Sequence, residues 1–374
     1  MGQKGNEIGQ SGKSNPRLED LFATSILEAH LQKRGHLPDA AELSKITKKA
    51  LRIEFMRRIA KPVIKELERQ AAQMLSDEAL VRTGFEARLY HVWKEPLDLL
   101  ECMIKVAIET GEKKRQDLTR TSDNTNNFQR SALIQIHARA IQVANEILTL
   151  LKGGFADGAN SRWRTLHELA VISYFLRNSS NYVAERYLKH SLIKKFKEAK
   201  DYREVCKQLG YPPINVKKFN LLKEKRDELI IKYGSDYKDD YGWLPVALLH
   251  PHAFNSKKKA RVNFHDLEKH VELTKWRPFY NLSSDAIHGG SRGFYRLGLM
   301  RQGGLLLVGP SNYGLVDPLQ NTAISLTHVT SCLLDIKPTF EDIVAMLAMN
   351  NYVKQIGPAA VKIQKKIEEK EKRG

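Results

Sequence analysis

The sequence predicts an all-α protein, an elaborated helical bundle with one small β-hairpin near residues 295–308. Apolar residues recur at three- and four-residue spacing along most of the 374 residues, and this spacing is typical of helices. Glycine, proline and asparagine interrupt the pattern between the predicted helices. A hydrophobic fraction of 42% and a charged fraction of 28% are those of a globular protein, so the chain can bury a sizeable core.

The first third of the chain divides into a leader, a helical region and a linker. Residues 1–16 are polar and predict a disordered leader. Residues 17–110 predict an N-terminal helical region: a helix that stops at Gly35, a short helix capped by Asp39, a basic helix over about 50–73 with a kink at Pro62, and a run over about 77–110. Residues 111–127 are rich in Asn, Asp, Ser and Thr and predict a linker.

Residues 128–337 predict the main helical domain. Its first two helices, about 128–151 and 157–178, are joined by Gly153-Gly154, so we expect an antiparallel helical hairpin. Helices over about 182–209, to Tyr233, 264–288 and 317–335 follow. The hairpin is predicted where Gly303-Gly304 separates two apolar runs. Residues 338–374 predict two C-terminal helices, about 339–350 and 352–371.

The charge balance points to a polyanionic partner. A formal net charge of +18 favours nucleic acid, RNA more than DNA. An anionic membrane surface and a merely solvated basic surface stay open, as do a protein partner bound through residues 17–110 and a homodimer. No apolar run of about 18 residues occurs, so no membrane span is predicted. The N-terminus lacks an apolar secretion signal, and a cytoplasmic location is therefore expected.

Cysteines and histidines give no metal signature at the level of sequence. The three cysteines form no CxxC pair and are expected to be buried thiols: Cys102, Cys206 and Cys332. The histidines of the later loops lack carboxylates at ligand spacing: His250, His252, His265 and His270. The chain also lacks a P-loop, a GxGxxG after a strand, HExxH and GxSxG. We therefore predict no metal and no cofactor.

Arg164 and Glu168 are the first candidate site residues. They lie one helical turn apart in WRTLHELA, so both side chains share a face. The alternative is an ordinary solvated ion pair. The helix around them is apolar over much of its circumference, and charge is costly to bury there unless it is paired.

His288 is the second candidate, in LSSDAIHGGSRG. It ends a predicted helix beside two glycines, which allow a sharp turn of the backbone. Ser284 lies one turn earlier and could orient the ring. The alternative is a histidine that only caps the last carbonyls of its helix.

Two further Arg/His pairs carry a ribonuclease-like spacing, Arg162-x4-His167 and Arg130-x6-His137. Such an Arg-x4–6-His element resembles the signature of the helical HEPN ribonucleases, in which His and Arg act on the RNA phosphodiester. Seven residues bring Arg130 and His137 within about 20° on an ideal helix, whereas five leave Arg162 and His167 about 140° apart. Trp163 and Ser131 depart from the Asn, Asp or His that usually follows the Arg.

Three motifs in the main domain resemble an uncharacterised, mainly bacterial helical family. They are ILTLLKGGFADGANSRWRTLHE, RYLKHSLIKKFKEAKDY and YNLSSDAIHGG, and the likeness covers about residues 127–335. The resemblance implies that Arg164, Glu168, Ser284 and His288 are the family-matching polar positions. It implies a site but no reaction.

The leading hypothesis is an RNA-directed defence or toxin-like protein that acts as a metal-independent ribonuclease. His288 would be the acid–base group, Arg164 would hold phosphate and Glu168 would orient either of them. Arg162, His167, Arg130, His137 and Ser284 would support the site. The alternative is a non-catalytic regulatory module that docks nucleic acid or a protein through the basic helices at 48–65 and 189–208.

Overall fold

The computed structural model describes residues 53–120, 127–245, 262–287 and 308–372, together with residue 249 and separate positions between 24 and 46. The chain forms two compact units, Met1–Phe85 and Glu86–Gly374. All regular structure in the described residues is helical, which confirms the all-α class. The hairpin predicted near 295–308 falls almost entirely on residues outside this description, so it stays a prediction.

The first unit contains helical residues between 24 and 46 and the beginning of α1, which runs Ile53–Arg120. Gly35 ends the first helical segment with a φ of 75°, and its N–H donates to the Leu31 carbonyl at 2.8 Å. From Ile53 onward, the helices predicted separately over about 50–73 and 77–110 are one helix, which stays helical through Pro62.

The second unit contains the rest of α1 and nine further helices of the described chain. These are α2 (Phe128–Lys152), α3 (Ala156–Arg177), α4 (Asn181–Lys189), α5 (Ser191–Val205), α6 (Val216–Tyr233), α7 (Phe264–His270), α8 (Arg277–Ile287), α9 (Val316–Leu334) and α10 (Phe340–Glu371). Short 3-10 turns span Ser235–Lys238 and Thr274–Trp276.

Helices α2, α3 and α9 pack against one another and form the centre of this unit. Helix α2 begins where the Asn127 side chain accepts a hydrogen bond from the Arg130 N–H at 2.9 Å. Its buried residues follow helical spacing, since residues 133, 136, 140, 143 and 147 are all buried. Helix α10 packs on α9, helices α7 and α8 cover α3, and α5 pairs with α6.

Helix α9 is buried along its length although it carries many hydroxyl groups. The Thr327 hydroxyl donates to the Ala323 carbonyl at 2.9 Å, so this buried polar group has a hydrogen-bond partner within the helix. The Trp163 indole of α3 donates to the Ser325 hydroxyl at 2.9 Å and to the Asn321 carbonyl at 3.0 Å. These bonds fix the rotation of α3 against α9.

The linker predicted at 111–127 is wrong over its first ten residues, because α1 continues to Arg120. The helix continues because residues in this stretch contact a distant part of the chain. The Lys114 side chain is 3% exposed and donates to the Asp342 carboxylate at 2.6 Å and to the Lys337 carbonyl at 3.1 Å. Burial raises the pKa of Asp342, but Lys114 and the Thr339 N–H lower it more, and the net pKa lies below its usual value.

Three other helix boundaries differ from the predicted ones. The helix predicted at 182–209 is α4 and α5, which meet at His190, whose ring nitrogen bonds to the Asp239 carbonyl at 2.9 Å. The helix predicted at 264–288 is α7, a 3-10 turn and α8. The two C-terminal helices are one, because Asn350 bonds back to the Met346 carbonyl and does not break α10.

Two expectations from composition can be compared with the described residues. None of their helices is both long and apolar enough to span a membrane. Cys206 and Cys332 are buried free thiols, as expected, but Cys102 is exposed, because it lies on the outer face of α1.

The ion pair of Lys114 and Asp342 gives a stability prediction. Lys114→Met leaves a buried carboxylate without its cation, and we expect the free energy of unfolding to fall by about 3 kcal/mol. Lys113→Met changes the exposed neighbour and should cost less than about 0.5 kcal/mol. Urea unfolding of both variants at pH 7 checks this, and equal losses would contradict it.

The contact of α1 with α2 gives a second prediction. A Cβ at Gly111 would lie 2.1 Å from the His137 ring, whereas one at Gly158 would have its nearest contact at 3.5 Å. Gly111→Ala should therefore lower the free energy of unfolding by about 1–3 kcal/mol. Gly158 lies in a helix with room for a methyl group, so Gly158→Ala should raise the free energy of unfolding by about 0.5–1 kcal/mol. Thermal unfolding distinguishes these signs.

Candidate functional site

The candidate site lies where α7 and α8 cover α3, and α3 supplies three of its side chains. Trp163 and Leu166 of α3 are buried, and Trp163 bonds to α9. Arg164, His167 and Glu168 lie three and four residues apart, and their partners belong to α7 and α8. The predicted sharing of one face by Arg164 and Glu168 is what the structure shows.

Glu168 accepts two hydrogen bonds on the same carboxylate oxygen, Oε1. The Tyr280 hydroxyl of α8 donates at 2.6 Å, and the Arg164 Nε donates at 3.3 Å. The Arg164 guanidinium also lies over the Tyr280 ring, 4.5 Å from its centroid. The Arg164 and Glu168 side chains remain 25% and 35% exposed. This ion pair is therefore held by an aromatic side chain and still reaches solvent.

Burial and Glu168 together raise the pKa of the Tyr280 hydroxyl, while Arg164 opposes that rise. Tyr280 is therefore a protonated donor at neutral pH. Burial likewise raises the pKa of Tyr241 to about 12, with Glu168 adding to the rise and Arg164 opposing it.

A second carboxylate, Glu268 of α7, lies behind this pair and is fully buried. It accepts from the His167 ring Nε2 at 2.9 Å and from the Arg277 Nη1 at 2.5 Å. Burial raises the pKa of Glu268, but His167 and Arg277 lower it more, so the carboxyl is ionised at neutral pH. Arg277 also contacts the Tyr280 ring, 5.1 Å from its centroid. The two carboxylates are thus linked through Tyr280.

Ser284 of α8 lies one turn beyond Tyr280, and its hydroxyl donates to the Tyr280 carbonyl at 2.9 Å. His288 lies outside the described residues. The predicted partnership between Ser284 and His288 therefore stays a prediction.

Among the remaining predicted residues, the structure brings His167 into the site through Glu268 but gives Arg162, Arg130 and His137 other partners. Arg162 pairs with Glu146 of α2, whereas His167 points to Glu268. Arg130 donates to the Leu118 carbonyl at 2.7 Å. His137 is buried, bonds to the Thr330 hydroxyl at 3.3 Å, and has its pKa lowered to about 4 by burial. It is thus neutral at pH 7 and enclosed in the core.

Sequence reasoning missed Tyr280, Glu268 and Arg277, which complete the site. Arg277, Tyr280 and Ser284 have helical spacing in RPFYNLSSDAI, and this was the available signal for Tyr280. Glu268 is preceded by Asn263, whose side chain forms a capping box with Asp266 at the start of α7. The capping box predicts helix α7 but does not predict that Glu268 of this helix is buried against His167 and Arg277.

A cavity of about 240 Å³ lies further along α3, about three turns beyond Arg164. Glu272, in its wall, has a φ of 58°, which is unusual for a residue other than glycine. The cavity is lined by Tyr174, Phe175, Asn178, Ser179, His270, Val271 and Glu272. Arg164 and Glu168 are not in its wall.

Comparison with known proteins gives one match. Residues 130–304 match the model of DUF5677, a family of unknown function. The match spans Arg164, Glu168, Glu268, Tyr280 and His288, so both carboxylates of the site lie within the matched segment. The resemblance predicted over about 127–335 is confirmed for this segment. No curated protein and no solved structure matches the chain. The likeness to HEPN ribonucleases stays a prediction.

The buried carboxylate gives a pH-dependent prediction. Glu268→Gln keeps the shape but removes the charge opposite His167 and Arg277, so we expect a loss of about 3 kcal/mol in the free energy of unfolding at pH 7. The folded pKa of Glu268 lies below its ordinary value of 4.5, so its stabilisation is complete above pH 4.5 and is lost as the pH falls through the folded pKa.

The difference between wild type and Glu268→Gln should therefore shrink in acid. Urea unfolding between pH 7 and pH 3 measures it, and Glu198→Gln, at an exposed position of α5, is the control. A difference that stays constant or grows in acid would contradict the assigned ion pairs.

Proposed function

We propose that the protein acts on RNA in a defence or toxin-like role and binds the phosphodiester at Arg164, which Glu168 and Tyr280 hold in position. One observation carries the proposal: Arg164 is held by a carboxylate and an aromatic ring but remains a quarter exposed. A guanidinium fixed in this way presents its donors to phosphate with little loss of side-chain entropy. The net charge of +18 favours the approach of a polyanion.

The proposed reaction is metal-independent cleavage of RNA. A base removes the proton from the ribose 2′-hydroxyl, this oxygen attacks the adjacent phosphorus, and the 5′-oxygen leaves with a proton. Arg164 stabilises the charge that develops on the phosphoryl oxygens. His288 is proposed for the proton transfers, because an ordinary imidazole titrates near neutral pH. Arg164 and Glu168 are paired with each other.

A non-catalytic nucleic-acid-binding module is the second candidate, and the hairpin of α5 and α6 favours it. Helix α5 has five basic and three acidic residues, and α6 has six basic and three acidic. Phe196 and Phe219 stack between the helices at 5.4 Å, with Arg226 over the Phe196 ring. The lysines Lys194, Lys195, Lys197 and Lys200 are exposed along α5. Such a surface suits phosphate contacts without base recognition.

Cleavage of a labelled single-stranded RNA by purified full-length protein tests the first proposal. We expect His288→Ala to lower the rate by about 10²–10⁴-fold, as for loss of a general acid–base group. Arg164→Lys keeps the charge but loses the planar set of guanidinium donors, and it should lower the cleavage rate at least tenfold. Arg139→Ala, whose side chain is 51% exposed, should leave the rate unchanged.

Two outcomes would contradict the assignment. Equal cleavage by wild type, His288→Ala and Arg164→Lys would remove the assigned site. RNA binding by wild type without any cleavage in the presence of EDTA would contradict the ribonuclease and favour the binding module. Circular dichroism of each variant establishes that it is folded.

A further inference from the structure

The first unit contains a group of metal-ligand side chains that the proposed RNA site does not use. One ligand atom from each of His30, His36 and Glu42 lies within 4.8 Å of the other two. His30 lies in the helical segment that ends just before Gly35, His36 follows Gly35, and Glu42 belongs to the next helical segment. The left-handed turn at Gly35 therefore brings three side chains from a short stretch of chain together.

His30 has a buried ring nitrogen that lacks a hydrogen bond within the described residues. Its Nε2 is enclosed, its side chain is 11% exposed, and the Glu42 carboxylate lies 4.0 Å away. That distance is too long for a hydrogen bond. A buried polar atom without a partner is costly, and an ion bound between these groups would satisfy it.

His36 has the hydrogen-bond arrangement of a metal ligand. Its Nδ1 lies 3.0 Å from the Leu37 carbonyl oxygen. A carbonyl oxygen can only accept, so Nδ1 carries the hydrogen and Nε2 keeps its lone pair. Histidine ligands of metals typically donate their second ring N–H to a backbone carbonyl in this way, which fixes the tautomer and the ring.

Glu42 is oriented by the start of its helical segment. The Asp39 carboxylate accepts from the Glu42 N–H at 2.7 Å, and the Glu42 carboxylate accepts from the Asp39 N–H at 3.4 Å. This reciprocal pair has the form of a capping box. It holds the Glu42 side chain back towards the turn, on the side of His30.

We propose that His30, His36 and Glu42 bind one divalent transition-metal ion of the zinc type, with water as the fourth ligand. Two imidazoles and one carboxylate are a known zinc ligand set, while Ca²⁺ and Mg²⁺ prefer oxygen ligands alone. Zinc bonds of about 2.0–2.1 Å place tetrahedral ligand atoms about 3.4 Å apart, so small side-chain rotations close the site. The ion joins the two helical segments on either side of Gly35.

Titration of the EDTA-treated, dialysed full-length chain with Co²⁺ tests the site, because tetrahedral Co²⁺ absorbs strongly in the visible range. We expect one such Co²⁺ per chain, displaced by Zn²⁺. His36 is exposed, so His36→Gln should fold. His36→Gln and Glu42→Gln should each weaken Co²⁺ binding at least tenfold. His91→Gln changes an exposed histidine of α1 and should bind as wild type does.

The pH dependence is a second readout of the same site. Co²⁺ binding should weaken in acid, because protons compete with the ion for imidazole and carboxylate ligands. Absence of the tetrahedral absorption in wild type would overturn the proposal. So would equal affinity in His36→Gln, Glu42→Gln and wild type, or an equal loss in His91→Gln.

Discussion

The position of the candidate RNA site depends on one buried carboxylate, that of Glu268. An ionised group without solvent exposure costs several kcal/mol unless it is paired and hydrogen-bonded, so the fold must bring Arg277 and the His167 ring to it. These three residues come from α7, α3 and α8. Helix α8 is thereby held against α3, and Tyr280 lies over Arg164 as a consequence. A hydrophobic contact alone would fix the spacing of the helices but not which polar groups meet.

Helix α3 can serve both the core and the site because its polar side chains bond to different helices. Trp163 bonds to α9, and one turn further along the helix His167 and Glu168 bond to α7 and α8. A helix covered on several sides has no broad solvated face, and its sequence therefore lacks a clean amphipathic stripe. The apolar surroundings of Arg164 and Glu168 in the sequence were a sign of this burial. These apolar surroundings indicated that the two charges are paired, and in the structure Arg164 and Glu168 form an ion pair.

Local features of the sequence predicted local structure well, and long-range partners escaped it. The Gly153-Gly154 turn and the apolar spacing of α2 and α3 gave both helices within a residue or two, and four-residue spacing placed Arg164 beside Glu168. Lys114, in GEKKRQ, has the sequence surroundings of a solvated residue, but its partner Asp342 lies 228 positions away. Glu268 escaped prediction partly for the same reason. Its partner His167 lies 101 positions away, although Arg277 is only nine residues further along the chain.

The bonding of Glu168 limits what chemistry the described cluster can perform by itself. Tyr280 and Arg164 both donate to Oε1, so this oxygen is an acceptor for groups that position the arginine. Tyr280 holds its proton at neutral pH, since burial and the neighbouring carboxylate both raise its pKa. A guanidinium has no acceptor atom and is not a proton-transfer group either. In the proposed function the cluster binds and polarises a phosphate, but the acid–base group must come from elsewhere, because the nearby His167 ring is buried and bonded to Glu268. An imidazole meets that need, and this requirement is the chemical reason for assigning the proton transfers to His288.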